Sequence, residues 1–312
     1  MTTPRARAGL GRTTIGSREF AWGERTFVMG ILNVTPDSFS GDGLLVPGAV
    51  ADPAADPIGR AVDQARRMVA EGADILDVGG ESTRPGHAPV DAMEEAARVV
   101  PVIAAVRAAM PDVPLSVDTT KPAVAEAALD AGANLVNDVW GVGSDDALVR
   151  LAATRASPIV VMHNRAEARY ADLIAEVVAD LDAAIERALR VGVAWDAIIV
   201  DPGFGFGKTA EHNLVLLREL HALRSLGRPI LLGTSRKSTL GRVLDLPAGE
   251  RLEATLATTA LGIAAGTDIV RVHDVRANVR AARMSDAVVR GTWRLDAPPD
   301  GPPQAPLEGG SS

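Results

Sequence analysis

What most limits the folds open to this chain is a short apolar run that recurs along it, each time followed by a stretch with helical spacing. The runs cover residues 27–32, 75–78, 115–117, 135–136, 159–162, 198–200, 230–232 and 269–270. Helical patterns follow at 60–71, 91–109, 122–131, 145–154, 171–191 and 210–226, then up to 265, and last at 275–289. In the first of these Ala61, Ala65, Met68 and Val69 share a face and Gly72 ends the pattern. Pro101 is expected to interrupt the second. Runs apolar on both faces suit a parallel sheet wrapped by helices. Eight such units with one alternation throughout predict a closed (β/α)8 TIM barrel. An open doubly wound sheet is the rival, because periodicity does not show closure.

Length fits one such domain, since 312 residues exceed the roughly 250 of a typical barrel. Residues 1–20 read as a loosely ordered lead-in, 21–295 as the barrel and 296–312, rich in Pro, Gly and Ser, as a disordered tail.

The sixth run carries the sharpest local signal. Ile198, Ile199 and Val200 lead to Asp201 and then to PGFGFGK. Pro202 fixes its own φ, and Gly203, Gly205 and Gly207 admit backbone angles closed to other residues. A P-loop would need Gly where Pro202 stands, and the glycine spacing also fails the dinucleotide fingerprint. Asp201, rather than a phosphate-cradling loop, is therefore the expected actor.

Composition excludes several classes. The net charge of −8 argues against a nucleic-acid surface. With no cysteine there is no disulfide, thiolate zinc site or thiol nucleophile. No apolar run approaches the roughly 18 residues of a membrane helix, and the N-terminus lacks the apolar core of a secretion signal. A cytoplasmic protein with no membrane partner is the expectation.

The strand-like runs end on Asn33, the Gly79-Gly80 turn, Asp118, Asn137, His163, Asp201, the Gly233 turn and Arg271-Val272-His273. In a parallel barrel these ends converge on one face, where active sites are built. A single polar strand end is usually a cap or a solvated turn, so it is their convergence that carries weight. The acceptors Asp118 and Asp201, the two-sided amide of Asn137 and the donors Lys237 and Arg271 suit a planar heterocycle with donors on one edge and acceptors on another. Arg271 and His273 flank one residue, point the same way on an extended strand and could hold a phosphate. Read alone, Arg271 could equally pair with Asp274 or Asp268, and His273 could be a satisfied core histidine. The loops at 35–41, with Phe39, and at 79–86, with Arg84, have the polar, turn-rich make-up of mobile lids or of ordinary surface loops. Residues 235–238 open a helix whose N–H groups would attract an anion; a solvated basic cap is the alternative there.

The motifs NVTPDSFS, DVGGESTRPG, SVDTTKP, VNDVWG, DPGFGFGK, GTSRKS and RVHDV stand in the order and spacing of dihydropteroate synthases, and the chain resembles that family from about residue 28 to 290. The resemblance implies a barrel, usually a homodimer, that joins 6-hydroxymethyl-7,8-dihydropterin diphosphate to 4-aminobenzoate and releases diphosphate with Mg²⁺. It further implies that Asp118, Asn137, Asp201 and Lys237 hold the pterin. Asn33, Arg271 and His273 would take the diphosphate and its metal, with Asn33 as the metal ligand. Thr83, Arg84, Pro85, Phe39 and Ser238 would line the aminobenzoate site. The family's reaction is similar to a dissociative substitution at the pterin methylene, with Arg271, His273, Lys237 and Asp201 closest to the chemistry and no side-chain nucleophile.

Two departures bear on loop shape. After the fifth run the chain reads Met162-His163-Asn164-Arg165-Ala166-Glu167 where the family often has MHMRG, and the first loop has SGDG where SDGG is frequent. A pterin-binding methyltransferase serving a corrinoid partner, or a silent paralogue, would share the acids. The first would not need both aminobenzoate loops, and the second would not need Asn33, Arg84, Lys237, Arg271 and His273 together.

Overall fold

The computed structural model describes residues 9–34, 56–81, 90–141, 143 and 146–292. The chain opens with an antiparallel hairpin, β1 (Arg12–Ile15) and β2 (Arg18–Ala21). Eight parallel strands follow: β3 (Phe27–Asn33), β4 (Ile75–Gly79), β5 (Leu115–Asp118), β6 (Leu135–Asp138), β7 (Ile159–Met162), β8 (Ile198–Asp201), β9 (Leu231–Leu232) and β10 (Ile269–Val272). Between and after them lie α1 (Pro57–Ala70), α2 (Ala92–Ala109), α3 (Pro122–Asp130), α4 (Ala147–Thr154), α5 (Leu173–Arg190), α6 (Ala210–Arg218), α7 (Ser238–Leu244), α8 (Leu252–Ala265) and α9 (Val275–Val289).

The ladder runs β8-β7-β6-β5-β4-β3-β10-β9. A bridge from Val200 to Ile230, with Val200 N–H donating to Pro229 O at 3.0 Å, joins its two ends. The sheet is closed, which decides for the barrel against the open sheet.

The alternation behind the apolar runs now has a cause. Val28, Leu76, Leu115, Val136, Ile159, Ile198, Leu232 and Val270 belong to the cluster under the helices. Met29, Ile75, Leu135, Val160, Ile199, Leu231 and Ile269 fill the barrel interior. Successive side chains leave a strand on opposite faces, so both faces must be apolar where both are dry.

The lead-in is a correction. Instead of loose chain, residues 12–21 form the hairpin, and Ile15, Phe20 and Trp22 join the interior cluster. Phe20, Trp22 and Phe27 pack ring on ring with centroids 4.9 to 5.7 Å apart, and Trp22 Nε1 donates to Thr13 Oγ1 at 2.8 Å. The N-terminal end of a barrel would otherwise expose its lowest apolar layer to water, and this hairpin plugs it. Each of its strands is four residues long with polar residues interleaved, too short a pattern to read.

Pro101 does not break α2, which runs through it. The carbonyl it deprives of a partner belongs to Ala97, and both residues are exposed, so water can serve it. The sixth helical pattern divides instead into α6 and a 3₁₀ turn at Leu220–Leu226.

Chain start and chain end are clasped together. Asp286 of α9 accepts Thr26 N–H at 2.7 Å and Thr26 Oγ1–H at 2.8 Å, while Arg290 donates to Gly23 O at 2.9 Å and to Asp286 at 2.7 Å. The expected tail from 296 lies outside the described residues.

Candidate active site

Several strands extend one or two residues past their apolar runs, and those residues are polar. Asp118, Asn137 and Asp201 are the last or next-to-last strand residues, and all three are buried. The barrel interior thus changes character along its axis, from apolar at the plugged end to charged at the other.

Arg271 on β10 lies at the centre of the charged end. Its Nε donates to Asp77 Oδ2 at 2.6 Å and its Nη2 to Asp118 Oδ2 at 2.5 Å. Asn137 Nδ2 donates to the same Asp77 oxygen at 3.0 Å. Burial opposes the Arg271 charge, but Asp77 and Asp118 outweigh it and raise the pKa above the ordinary guanidinium value. Burial lifts the Asp118 carboxyl to about 7, with Arg271 acting against the shift and Asp77 adding to it. Neither of the sequence-adjacent acids is the partner of Arg271. Asp274 takes Arg236 at 2.6 and 3.0 Å, and Asp268 accepts Ile230 N–H at 3.1 Å.

Asp77 is the residue that sequence reasoning passed over. It stands inside the second apolar run and is fully buried, with its Oδ1 unpartnered. A carboxylate in a strand dry on both faces is itself a signal, because a lone buried charge is too costly to be left unpaired. By accepting the Asn137 amide N–H, it turns the Asn137 oxygen to face away from Asp77.

Asp201 ends β8, and its Oδ1 accepts Gly203 N–H at 2.7 Å. Burial raises its pKa, opposed by Lys237, the Gly203 N–H, Arg271 and Lys208. The glycines beyond it are required by close approach. A Cβ on Gly203 (φ +69°) would stand 1.8 Å from His163 O, and one on Gly207 (φ +54°) 2.4 Å from Arg165 O. Gly205 lies against the Lys237 stem, 2.8 Å from Cδ to a built Cβ.

Lys237, just before α7, donates to Phe204 O and lies 4.3 Å from the Phe206 ring centroid. Burial lowers its ammonium to about 8, with Asp201 working to keep it charged. Ser238 is the first residue of α7 and is exposed. His273 is partly exposed, not a core histidine. Ser235 Oγ accepts His273 N–H at 3.2 Å and lies 3.0 Å from Nδ1; when its hydroxyl donates to the ring, the imidazole proton sits on Nε2. Ser235 was not singled out in the sequence, where it is one hydroxyl in a run of polar residues.

Asn33 ends β3, partly exposed and opposite Gly79 in register. Its Oδ1 and Asp118 Oδ2 lie 3.9 and 3.7 Å from the point where a Gly79 Cβ would stand. Of the strand-end residues, His163 alone is not brought to this group: its ring is held by Asp180 of α5 at 3.1 Å and by Lys208 at 2.8 Å. Phe39, Thr83, Arg84 and Pro85 lie outside the described residues. The base of the second loop is closed, since Glu81 Oε1 accepts Val90 N–H at 2.9 Å and Lys121 bridges Glu81 and Glu95 at 2.5 Å each.

Such a site, with acids, an amide and two cations on the C-terminal face of a parallel barrel, defines a binder of small polar ring compounds. The sequence matches the pterin binding enzyme family over residues 29–273. It is 50% identical over 277 residues to the dihydropteroate synthase of Clostridium beijerinckii, covering 88% of this chain and 99% of the relative. To the Bacillus subtilis dihydropteroate synthase it is 48% identical over 266 residues, 85% of this chain and 90% of that one. Among solved structures, the Clostridium difficile dihydropteroate synthase obtained in the presence of pteroic acid superposes with a TM-score of 0.80 at 47% identity, covering 87% of this chain and 99% of that one. The Xanthomonas albilineans enzyme in complex with 7,8-dihydropteroate gives 0.79 at 38% identity over 89% and 98% of the two chains. The chain therefore belongs to the pterin-binding enzymes and, within them, to the dihydropteroate synthase family.

Proposed function

We propose that this chain condenses 6-hydroxymethyl-7,8-dihydropterin diphosphate with 4-aminobenzoate, giving 7,8-dihydropteroate and diphosphate. One observation carries the reading: Asp118, Asn137, Asp201, Lys237 and Arg271 meet at one end of a barrel whose other end is sealed. A pterin has ring and exocyclic N–H donors along one edge and ring acceptors on others. The Asp201 carboxylate takes a donor pair; its Oδ1 keeps a second lone pair beside the Gly203 N–H. The Asn137 oxygen, oriented by Asp77, accepts a further N–H, and Lys237 donates to a ring acceptor or carbonyl.

Arg271 and His273 then serve the leaving group. Two Arg271 nitrogens are held by Asp77 and Asp118, which leaves Nη1 for an anion. In the tautomer whose Nδ1 accepts from Ser235, the Nε2–H of His273 is the donor. Stabilising the departing diphosphate and positioning the arylamine supply the catalysis, with no side chain acting as nucleophile. Ser238, with Phe39, Thr83, Arg84 and Pro85, would complete the aminobenzoate site.

A metal fits on one condition. Among the described residues no three His, Cys, Asp or Glu side chains gather to hold an ion. Asn33 offers a single neutral amide oxygen near the mouth. That donor set suits Mg²⁺ carried on substrate phosphates, because Mg²⁺ keeps waters and takes few protein ligands. When bound it would neutralise diphosphate charge, with Asn33 as its protein ligand.

The reading also includes a homodimer in the cytoplasm. Leu261 on α8 and Met284, Val288 and Val289 on α9 are exposed apolar residues suited to a second copy. Among the described residues no helix is long and apolar enough to cross a membrane.

Incubation with pterin diphosphate, 4-aminobenzoate and Mg²⁺ should give dihydropteroate, detected by chromatography and mass. A well-folded preparation that forms none would refute the activity.

A further inference from the structure

Lys208 closes the glycine turn, and the chemistry proposed above makes no use of it. Its side chain reaches behind the turn, away from the mouth. There Nζ meets three acceptors: His163 Nδ1 at 2.8 Å, Phe206 O at 3.1 Å and Gly203 O at 3.2 Å. Asp180 Oδ2 lies 3.1 Å from His163 Nε2, and since a carboxylate accepts, the Nε2–H donates to it. In the neutral ring Nδ1 is then an acceptor, and with the two carbonyls it takes the three N–H groups of the Lys208 ammonium. Burial, and then Lys208, push His163 down to about 4, in keeping with that state. Asp180 is held in turn by Arg165 at 2.7 and 3.0 Å, and Arg165 also pairs with Glu176 at 2.6 Å.

The front of the same turn makes the contacts that place two site residues. Gly203 N–H donates to Asp201, Phe204 O accepts from Lys237, and the Phe206 ring lies against the Lys237 ammonium. The two carbonyls gripped by Lys208, those of Gly203 and Phe206, bracket Phe204. The back of the turn is pressed on the chain after β7, with His163 N–H donating to Asp201 O at 2.9 Å.

We propose that Lys208 is a positioning residue for the pterin end of the site: its ammonium grips the turn from behind and sets Phe204 O and the Gly203 N–H for Lys237 and Asp201. This rests on the reading that Asp201 and Lys237 hold the pterin. The charged groups facing Lys208 are Asp201 on β8, Lys237 before α7, Arg165 after β7 and Asp180 on α5. Only two are acids, and Asp180 is already shared with Arg165 and His163. Burial brings the Lys208 ammonium down to about 7, with Asp201 the main influence holding it up. The link is reciprocal, since Lys208 is among the groups that lower Asp201.

The test compares Lys208→Met, which keeps the stem and loses the charge, with Lys208→Arg, which keeps the charge. Asp180→Asn serves as a control that loosens the far end of the chain of contacts. Wild-type turnover comes first, because its absence would refute the parent reading and leave Lys208 to be judged by pterin binding in a calorimeter. In Lys208→Met the KM for pterin diphosphate should rise about tenfold or more, and the KM for 4-aminobenzoate should stay within about twofold. Lys208→Arg should bring the pterin KM back to within about twofold of the wild type. Asp180→Asn should lower Tm without changing the pterin KM. Equal rises in both KM values, no rescue by Lys208→Arg, or an equal pterin effect in Asp180→Asn at matched loss of Tm would each overturn the proposal and leave Lys208 a structural staple.

Discussion

The two ends of the barrel are built by the same strands and obey opposite rules. At the N-terminal end the inward side chains are Met29, Ile75, Val160, Ile199 and Ile269, sealed by the Phe20, Trp22 and Phe27 cluster of rings. At the C-terminal end the next inward positions include Asp77, Asn137, Asp201 and Arg271, all ionised or strongly polar. The first end gains free energy by excluding water from carbon. The second spends it, holding two acids and a guanidinium where each is tolerable only because of the others. The difference shows where selection for binding has displaced selection for stability. It also lets each end be attacked separately.

The largest effect should come from removing the shared cation. Arg271→Met leaves Asp77 and Asp118 buried without their partner, so stability should fall by about 3–5 kcal/mol in denaturant unfolding. Pterin diphosphate should weaken far more than a pterin lacking phosphate. Equal weakening of the two ligands would make Arg271 structural only.

Almost as large a loss is expected at the other end, with a different signature. Phe20→Ala removes a ring 2% exposed, and core truncations of this kind cost about 3–5 kcal/mol. Yet kcat and both KM values of the folded fraction should stay as in the wild type. Altered kinetics at full folding would mean that the plug and the site are coupled.

Asp201→Asn should do the reverse, leaving Tm nearly unchanged while pterin affinity drops. An unpaired donor in a desolvated pocket costs about 1–3 kcal/mol, and lost charge adds to it. Unchanged pterin affinity by calorimetry would take Asp201 out of the site.

Mild acid gives the smallest and most selective change. With its carboxyl raised to about 7, Asp118 gains a proton as pH falls through that value, and pterin binding should fall with it. The stability sign is opposite. A folded-state pKa above the unfolded one makes this group's contribution complete below about 4 and lost as pH rises toward 7. Binding should therefore weaken between pH 8 and pH 6 with no loss of Tm assignable to Asp118. A parallel fall in Tm and affinity would mean that acid acts through unfolding.

How much of this was legible from residues alone depends on how local each cause is. The wall was readable because a strand dry on both faces must be apolar at every position, as at 159–162 and 198–200. The convergence of Asp118, Asn137, Asp201 and Arg271 followed from strand order in a barrel. Asp77 was missed because its meaning lies in Arg271, 194 residues later in sequence. The plug was missed because Ile15 and Phe20 look like stray apolar residues until there is a barrel end to fill. Arg271 was assigned possible partners nearby in sequence, whereas barrel closure brought it two acids from β4 and β5, strands that do not pair with its own.

The clasp between Thr26 and Asp286 has a consequence for how the molecule comes into being. β3 leaves the ribosome early, but its partner β10 and the helix that grips its base arrive last, so one edge of the growing sheet must wait unpaired. Local βα units can form during synthesis, while ring closure is deferred until β10 has emerged and the clasp until Asp286 follows it. A fragment ending before β10 would carry every acid of the site and still leave β3 with an unpaired apolar edge, the form most prone to stick to its own kind.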